Sequence, residues 1–243
     1  MDRICFKTCE NIANKLYFVN LLMTMKKGAE RLNSAQSRGK LIVFEGIDGS
    51  GKTTQLQRAA AWLQQRGRQV LTLSEPTQGP HGRQLRQSAL QGRLSPEAER
   101  DLFIKDRRWN VQENIRPALS LGKVVLLDRY YFSSIAYQGA RGLNPDDIRR
   151  KNEAIAPQPD LVILLDLDPR IAVQRIQRGR GDAPNLFEKL DYLRQVRDIF
   201  LSLKDPFIVR IDAAPDEDTV WQQVKKALQS LFPPRKGSLA EAG

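Results

Sequence analysis

Cysteine is nearly missing from this chain: Cys5 and Cys9 stand near the N-terminus, and none follows. With no histidine beside them they form neither a disulfide framework nor a zinc site, which implies a reducing, cytoplasmic setting. Histidine occurs once. His81, flanked by Pro80 and Gly82, reads as a surface turn residue. Aromatics make up 7% of the residues and none is interleaved with a basic stretch, so nothing suggests a surface that stacks nucleic-acid bases. The longest apolar stretch of the N-terminal segment, residues 16–25, is interrupted by Asn20 and is too short to span a bilayer. No small-x-small cleavage pattern follows it, so no membrane or secretory role is expected. An N-K-x-D guanine-reading motif is also lacking, which counts against a GTPase.

What is abundant is positive charge. The formal net charge is +11, and residues 1–38 hold seven basic and three acidic side chains, so +4 belongs to a segment expected to lie outside the fold. This segment reads as an extension, either a flexible arm or sequence upstream of a start at Met23 or Met25. Residues 39–232 are expected to form a single α/β domain, since 41% hydrophobic content suits one sizeable core. The polar stretch 233–243 reads as a flexible tail. The remaining positive charge fits either arginines that clamp polyphosphates inwardly or a basic outer surface for nucleic acid. Several arginines fall inside the motifs below, which favours the first.

Apolar runs at 41–45, 69–73, 123–127, 161–166 and 207–211, separated by helical patterns, predict a five-stranded parallel sheet covered on both faces. Helices are expected over 55–65, from Pro145 to about Ala154, from Pro169 to about Gln177, and over 186–203. Leu186, Leu190, Leu193, Val196 and Phe200 share one face of the last. Asp128 and Asp166 close two of the strand runs. Ligands of open parallel sheets sit beyond the carboxyl ends of the strands, so both acids are expected near the nucleotides.

The first strand run leads into Gly46-Ile47-Asp48-Gly49-Ser50-Gly51-Lys52-Thr53, which matches G-x-x-x-x-G-K-[ST] and is followed by Thr54 and a helix. Glycines allow the backbone to curl so that successive N–H groups, Ser50 among them, converge with the helix's positive end on one spot, where a triphosphate fits. Lys52 has the reach to sit between the β- and γ-phosphates. The Thr53 hydroxyl suits Mg²⁺. At the end of another strand, Asp128-Arg129-Tyr130 places an acid beside a cation. Asp128 suits Mg²⁺ held through water, and Arg129 could fork onto the phosphate of an acceptor.

These motifs resemble those of the thymidylate (dTMP) kinases. The similarity covers roughly residues 40–230 and keeps the family's order: phosphate loop, Glu75-Pro76, Leu102-Phe103 with Arg107, Asp128-Arg129-Tyr130, Ala136-Tyr137-Gln138-Gly139, and a late arginine-rich lid at 175–182. The resemblance implies a P-loop kinase fold, ATP and Mg²⁺, and transfer of a γ-phosphoryl group to dTMP. It also implies a homodimer. By the same similarity Phe103 stacks on the base and Arg107 addresses its edge, while Ser134 and Gln138 contact the base. Tyr137 crowds the ribose 2′ position, Asp48 meets the sugar 3′-hydroxyl, and Glu75 belongs to the acceptor site. Some family members carry an arginine in the phosphate loop where Gly49 stands, so here the cation is expected from the lid, from Arg178 and Arg180 with Arg175 in support. Ser74-Glu75-Pro76-Thr77 replaces the family's Arg-Glu-Pro-Gly, so an arginine near the acceptor phosphate is absent, with Arg83 as a substitute. A kinase for another nucleoside monophosphate, or a nucleotide-dependent binding protein without transfer, stay open as alternatives.

Overall fold

The computed structural model describes residues 38–92, 94–180 and 186–233. The expected extension, apart from its last residue, and the expected tail, apart from its first, lie outside them. Five strands, β1 (Lys40–Glu45), β2 (Val70–Ser74), β3 (Val124–Asp128), β4 (Leu161–Asp166) and β5 (Ile208–Asp212), pair in parallel in the order β2-β3-β1-β4-β5. Each falls within one residue of its apolar run. At the carboxyl ends of β2, β3 and β5 the shift arises because the polar residues after the runs, Ser74, Asp128 and Asp212, still pair in the ladder.

The central strands β1, β3 and β4 are buried almost throughout, while β2 and β5 expose alternate or successive residues at the two edges. Each fully buried Leu, Ile or Val in the central strands stabilises the fold by about 1.5–3 kcal/mol. Cutting Leu126, fully buried, back to alanine would cost about 2–5 kcal/mol.

Helices cover both faces. α1 (Lys52–Gln64) starts three residues earlier than expected, because Gly51 in the left-handed region (φ 89°) hands the loop directly to the helix. α2 (Pro80–Gln91) begins at a proline and takes His81 into its first turn. His81 is thus a half-buried helical residue and not part of a surface turn. α3 (Pro96–Asn110) is capped by the Ser95 hydroxyl, which accepts from the Ala98 N–H, and carries acids in its first turn and arginines in its last, matching its dipole. It continues through a π-helical turn, Val111–Ile115, into α4 (Arg116–Ser120). There follow α5 (Tyr131–Gly139), α6 (Pro145–Glu153), α7 (Pro169–Arg180), α8 (Leu186–Ser202) and α9 (Glu217–Leu231). Side-chain oxygens of Asn144 and Asp216 cap α6 and α9. Leu193, Val196 and Phe200 of α8 are in the core as the pattern predicts, and α8 packs on α5 and α7.

The strand order fixes the position of the site. The chain leaves β1 toward β2 and β3 on one side and later crosses to β4 and β5 on the other. The carboxyl ends of β1 and β3 therefore meet at the point where the winding reverses, where open α/β sheets hold ligands.

Candidate active site

The loop after β1 is held open by glycine geometry. Gly49 has φ 83°, and a Cβ there would stand 2.7 Å from the Ala172 carbonyl oxygen of α7. No L-residue fits unless the loop or the helix moves, so the loop as it stands has no room for the arginine that some members of the resembled family carry here. The Lys52 ammonium is buried and donates to the Ile47 carbonyl oxygen at 3.0 Å. Burial, and then the Arg129 charge, lower its pKa to about 8, while Asp48, Asp128 and Glu45 oppose the shift. The Ser50 hydroxyl is buried and has no hydrogen-bond partner among the described residues. A donor-rich loop with an under-solvated cation and an orphaned hydroxyl is suited to an anion. Above it lies an open cleft of about 520 Å³, bounded by the loop from Asp48 to Thr54, by Asp128 and Arg129, and by Arg175 and Ile176 of α7.

Arg129 borders this cleft and also a second cavity of about 200 Å³ beyond it. Its backbone lies in the left-handed region (φ 70°), rare for a non-glycine residue. One nitrogen donates to Asp48 Oδ1 at 2.6 Å and to the Tyr137 phenol oxygen at 3.2 Å; the other donates to Ser133 Oγ at 2.9 Å. Ser133 is in turn bound to Glu45, a fully buried carboxylate at the end of β1 that accepts from Ser133 Oγ (2.6 Å), Ser133 N–H (3.1 Å) and Tyr130 N–H (2.8 Å). Burial raises Glu45 to about 7, against the lowering effects of Ser133, Arg129, Tyr130 and Lys52. The Tyr137 phenol, pushed up to about 12 chiefly by burial, stays neutral.

The second cavity is walled by two helices and a loop. From α3 come Glu99, Phe103 and Arg107, three residues four apart and so on one helical face. Ser133, Ser134, Tyr137 and Gln138 come from α5, Glu75 and Pro76 from the loop after β2. Arg107, almost fully buried, pairs with Glu75 at 2.7 Å, donates to Ser134 Oγ at 3.3 Å and also bonds Asn152. Thr77, one of the departures from the family pattern, locks this loop to α3: its N–H and hydroxyl both donate to the buried Asp106 carboxylate, at 2.8 and 2.6 Å.

Most of the residues singled out from the sequence thus converge on two adjoining spaces, though not all do. The Asp166 carboxylate, expected beside the nucleotides, is taken by Arg197 and Arg210 in a three-member ion cluster and borders neither space. The pairing holds it below the usual carboxylate range although burial works the other way. Arg83 donates to the Gln78 carbonyl oxygen and does not reach the cavity, so among the described residues its arginines are Arg107 and Arg129. In the expected lid, Arg175 borders the cleft and donates to the Ala214 carbonyl oxygen, while Arg178 is exposed on α7. The Arg180 side chain and residues 181–185 lie outside the description. Glu45, Glu99 and Asp106 were missed. A charged residue closing an apolar strand was the signal for Glu45, and the four-residue spacing to Phe103 was the signal for Glu99.

A five-stranded parallel sheet, a phosphate loop after its central strand, and a second cavity sharing a wall with the loop's cleft define a P-loop nucleotide kinase. Residues 44–224 match the Thymidylate kinase family model. The chain is 47% identical over 201 residues to the thymidylate kinase of Akkermansia muciniphila, covering 82% of this chain and 96% of that one. Identity is 51% over 185 residues with the thymidylate kinase of Xanthomonas campestris pv. campestris (76% and 81% covered). With that of Xanthomonas oryzae pv. oryzae it is 46% over 208 residues (84% and 91%). The chain belongs to the thymidylate kinase family.

Proposed function

We propose that this chain transfers the γ-phosphoryl group of ATP to the 5′-phosphate of dTMP, giving dTDP and ADP. One observation carries the reading: the cleft over the phosphate loop and the cavity bounded by Phe103 and Arg107 share Asp48 and Arg129 as a common wall. Two phosphates approaching from opposite sides would meet at that wall. The chemistry needs no covalent intermediate. Its difficulty is holding two polyanions in line, which requires fixed positive charge and little reorganisation. Arg129 supplies such charge from a rigid mount, and the Lys52 ammonium, destabilised by burial and by the Arg129 charge, would be stabilised by a phosphate beside it. Arg178 and Arg180 are assigned to the transferring group and Phe103 to the face of the base. Arg107, Ser134 and Gln138 are assigned to its edge, Tyr137 and Asp48 to the sugar, and Glu75 to holding Arg107.

For Mg²⁺, the test of fit is the Thr53 hydroxyl, which donates to Asp128 Oδ2 at 2.7 Å beside the loop. Two hard oxygens are about what this ion takes from protein when phosphates and water complete its shell, so Thr53 and Asp128 would hold it. When bound it would neutralise charge on the phosphates. We further place the activity in residues 39–232, with 1–38 as an extension and 233–243 as a tail, in a cytoplasmic homodimer that needs no nucleic-acid or membrane partner. Among the described residues no helix is long and apolar enough to cross a membrane.

An assay of ADP release against dTMP, dUMP, dCMP, dGMP and UMP tests the reading. The highest kcat/KM is expected with dTMP. A clear preference for another acceptor would overturn the substrate assignment. Absence of ADP release together with salt-dependent duplex binding would favour a nucleotide-dependent binding protein.

A further inference from the structure

Gln138 lines the acceptor cavity and has a polar atom that no described residue satisfies. Gln138 is 3% exposed, and its Oε1 has no hydrogen-bond partner among the described residues. The other end of the same amide is tied down: Nε2 donates to Glu99 Oε2 at 3.1 Å. Glu99 is fixed in its turn, because Arg141 Nη1 donates to the same Oε2 at 2.5 Å while Arg141 Nη2 donates to the Leu94 carbonyl oxygen at 2.8 Å. Both partners of the pair are largely buried, 16% and 15% exposed. A carboxylate paired with a guanidinium is ionised and can only accept. The amide nitrogen must therefore face Glu99, and the amide oxygen is left as the acceptor that a ligand in the cavity has to satisfy.

We propose that Glu99, held by Arg141, sets the orientation of the Gln138 amide and thereby makes the cavity select a pyrimidine with N–H at position 3 over one with a bare ring nitrogen. The inference rests on the proposed function in taking the cavity as the base site. Arg107 lines the same cavity and offers only donors. An acceptor from α5 and a donor from α3 in one cavity match the N3–H and C4=O edge of thymine or uracil. Cytosine, with an acceptor at N3 and an amino group at C4, opposes both groups. Glu99 is on this account a positioning residue that acts through Gln138.

The decisive probe is 5-methyl-dCMP, which differs from dTMP only along that edge. Its kcat/KM and its Kd by calorimetry are measured beside those of dTMP and dUMP. The parent is expected to favour dTMP over 5-methyl-dCMP by at least about a hundredfold. In E99M/R141M both charges leave together, and the amide is free to turn. The dTMP to 5-methyl-dCMP ratio is expected to fall about tenfold or more, with the dTMP to dUMP ratio unchanged, since those two share the edge. E99Q should keep the parent's preference, because one amide oxygen can receive both donors that now converge on Oε2. Should the apolar pair not fold, E99K/R141E puts a donor opposite Gln138 and is expected to move the ratio further the same way. A folded variant of either kind that keeps the parent's ratio overturns the proposal. Lack of turnover in the parent would count against the proposed function alone, because the Kd ratios still decide the orientation of the amide.

Discussion

At the scale of single residues, backbone geometry and burial explain what the site tolerates. Gly49 sits at φ 83° with the Ala172 carbonyl oxygen in the space a Cβ would take, so Gly49→Ala adds left-handed strain, about 1–3 kcal/mol, and displaces either the loop or α7. A loss of at least about tenfold in kcat/KM for ATP is expected, and steady-state kinetics at saturating dTMP would check it; unchanged kinetics would show that the loop does not need this conformation. The loop was legible from the spacing of Gly46, Gly51, Lys52 and Thr53, which leaves position 49 open. For Glu45 the one signal was a charge closing an apolar run, which marks a strand end without giving a role, because its partners Tyr130 and Ser133 lie more than eighty residues away. Its pKa is raised from 4.5 to about 7. Between those values the unfolded chain has lost the proton that the folded chain keeps. The contribution of this group to stability is therefore greatest below about pH 4.5 and declines as pH rises to about 7. Urea unfolding of the parent and Glu45→Gln at pH 5 and 7.5 should show the parent losing ground to the variant at the higher pH. Parallel behaviour of the two proteins would mean that Glu45 titrates normally.

Among elements, the strands were the easiest to read, since runs such as Val124–Leu127 and Leu161–Leu165 lack polar alternation and can only be buried on both faces. Their order in the sheet was not legible, because parallel pairing depends on crossovers that leave no local trace. The π-helical turn at Val111–Ile115 was equally silent, since nothing in its composition separates it from the helix it interrupts. Phe103 and Arg107 were singled out by the order of motifs that resembles the family's and not by helical spacing, and both line the cavity; a strand end taken alone as the clue misled. Asp166 occupies on β4 the place that Asp128 occupies on β3, yet Arg197 from α8 and Arg210 from β5 draw it into a structural cluster. α3 illustrates how an element serves both stability and function. Glu75 and Arg107 tie the loop after β2 to this helix, their side chains 2% and 1% exposed. Glu75→Ala strands the guanidinium in a buried site and should cost roughly 3–5 kcal/mol, read as a lower midpoint in chemical denaturation, with a raised KM for dTMP. A variant as stable as the parent would show that Asn152 and Ser134 suffice to hold Arg107.

Across the whole molecule, the large positive charge divides between packing and the two cavities. Arg58, Arg66 and Arg68 lie over the rings of Trp221, Trp62 and Phe232, and Arg149 is bound to Asp205, so many basic groups that raise the net charge serve the surface of the fold. Arg107, Arg129 and Arg175 border the cavities, a distribution that suits a clamp on small anions better than a continuous basic face for nucleic acid. Gly49 leaves no room for a loop arginine, and the proposed transfer would draw a further cation from α7, whose Arg175-x-x-Arg178-x-Arg180 pattern begins at the cleft. Arg175 already borders the cleft and is tied to Ala214, whereas Arg178 is exposed on α7 and does not border the cleft. A cation engaged mainly in the transition state affects kcat and leaves binding of the acceptor almost untouched. Arg178→Ala and Arg180→Ala are thus each expected to lower kcat at least about tenfold, with KM for dTMP within about twofold. If both variants kept kcat within a few-fold of the parent, the charge would have to be supplied by Arg175, and the same measurement on Arg175→Ala would then carry the loss.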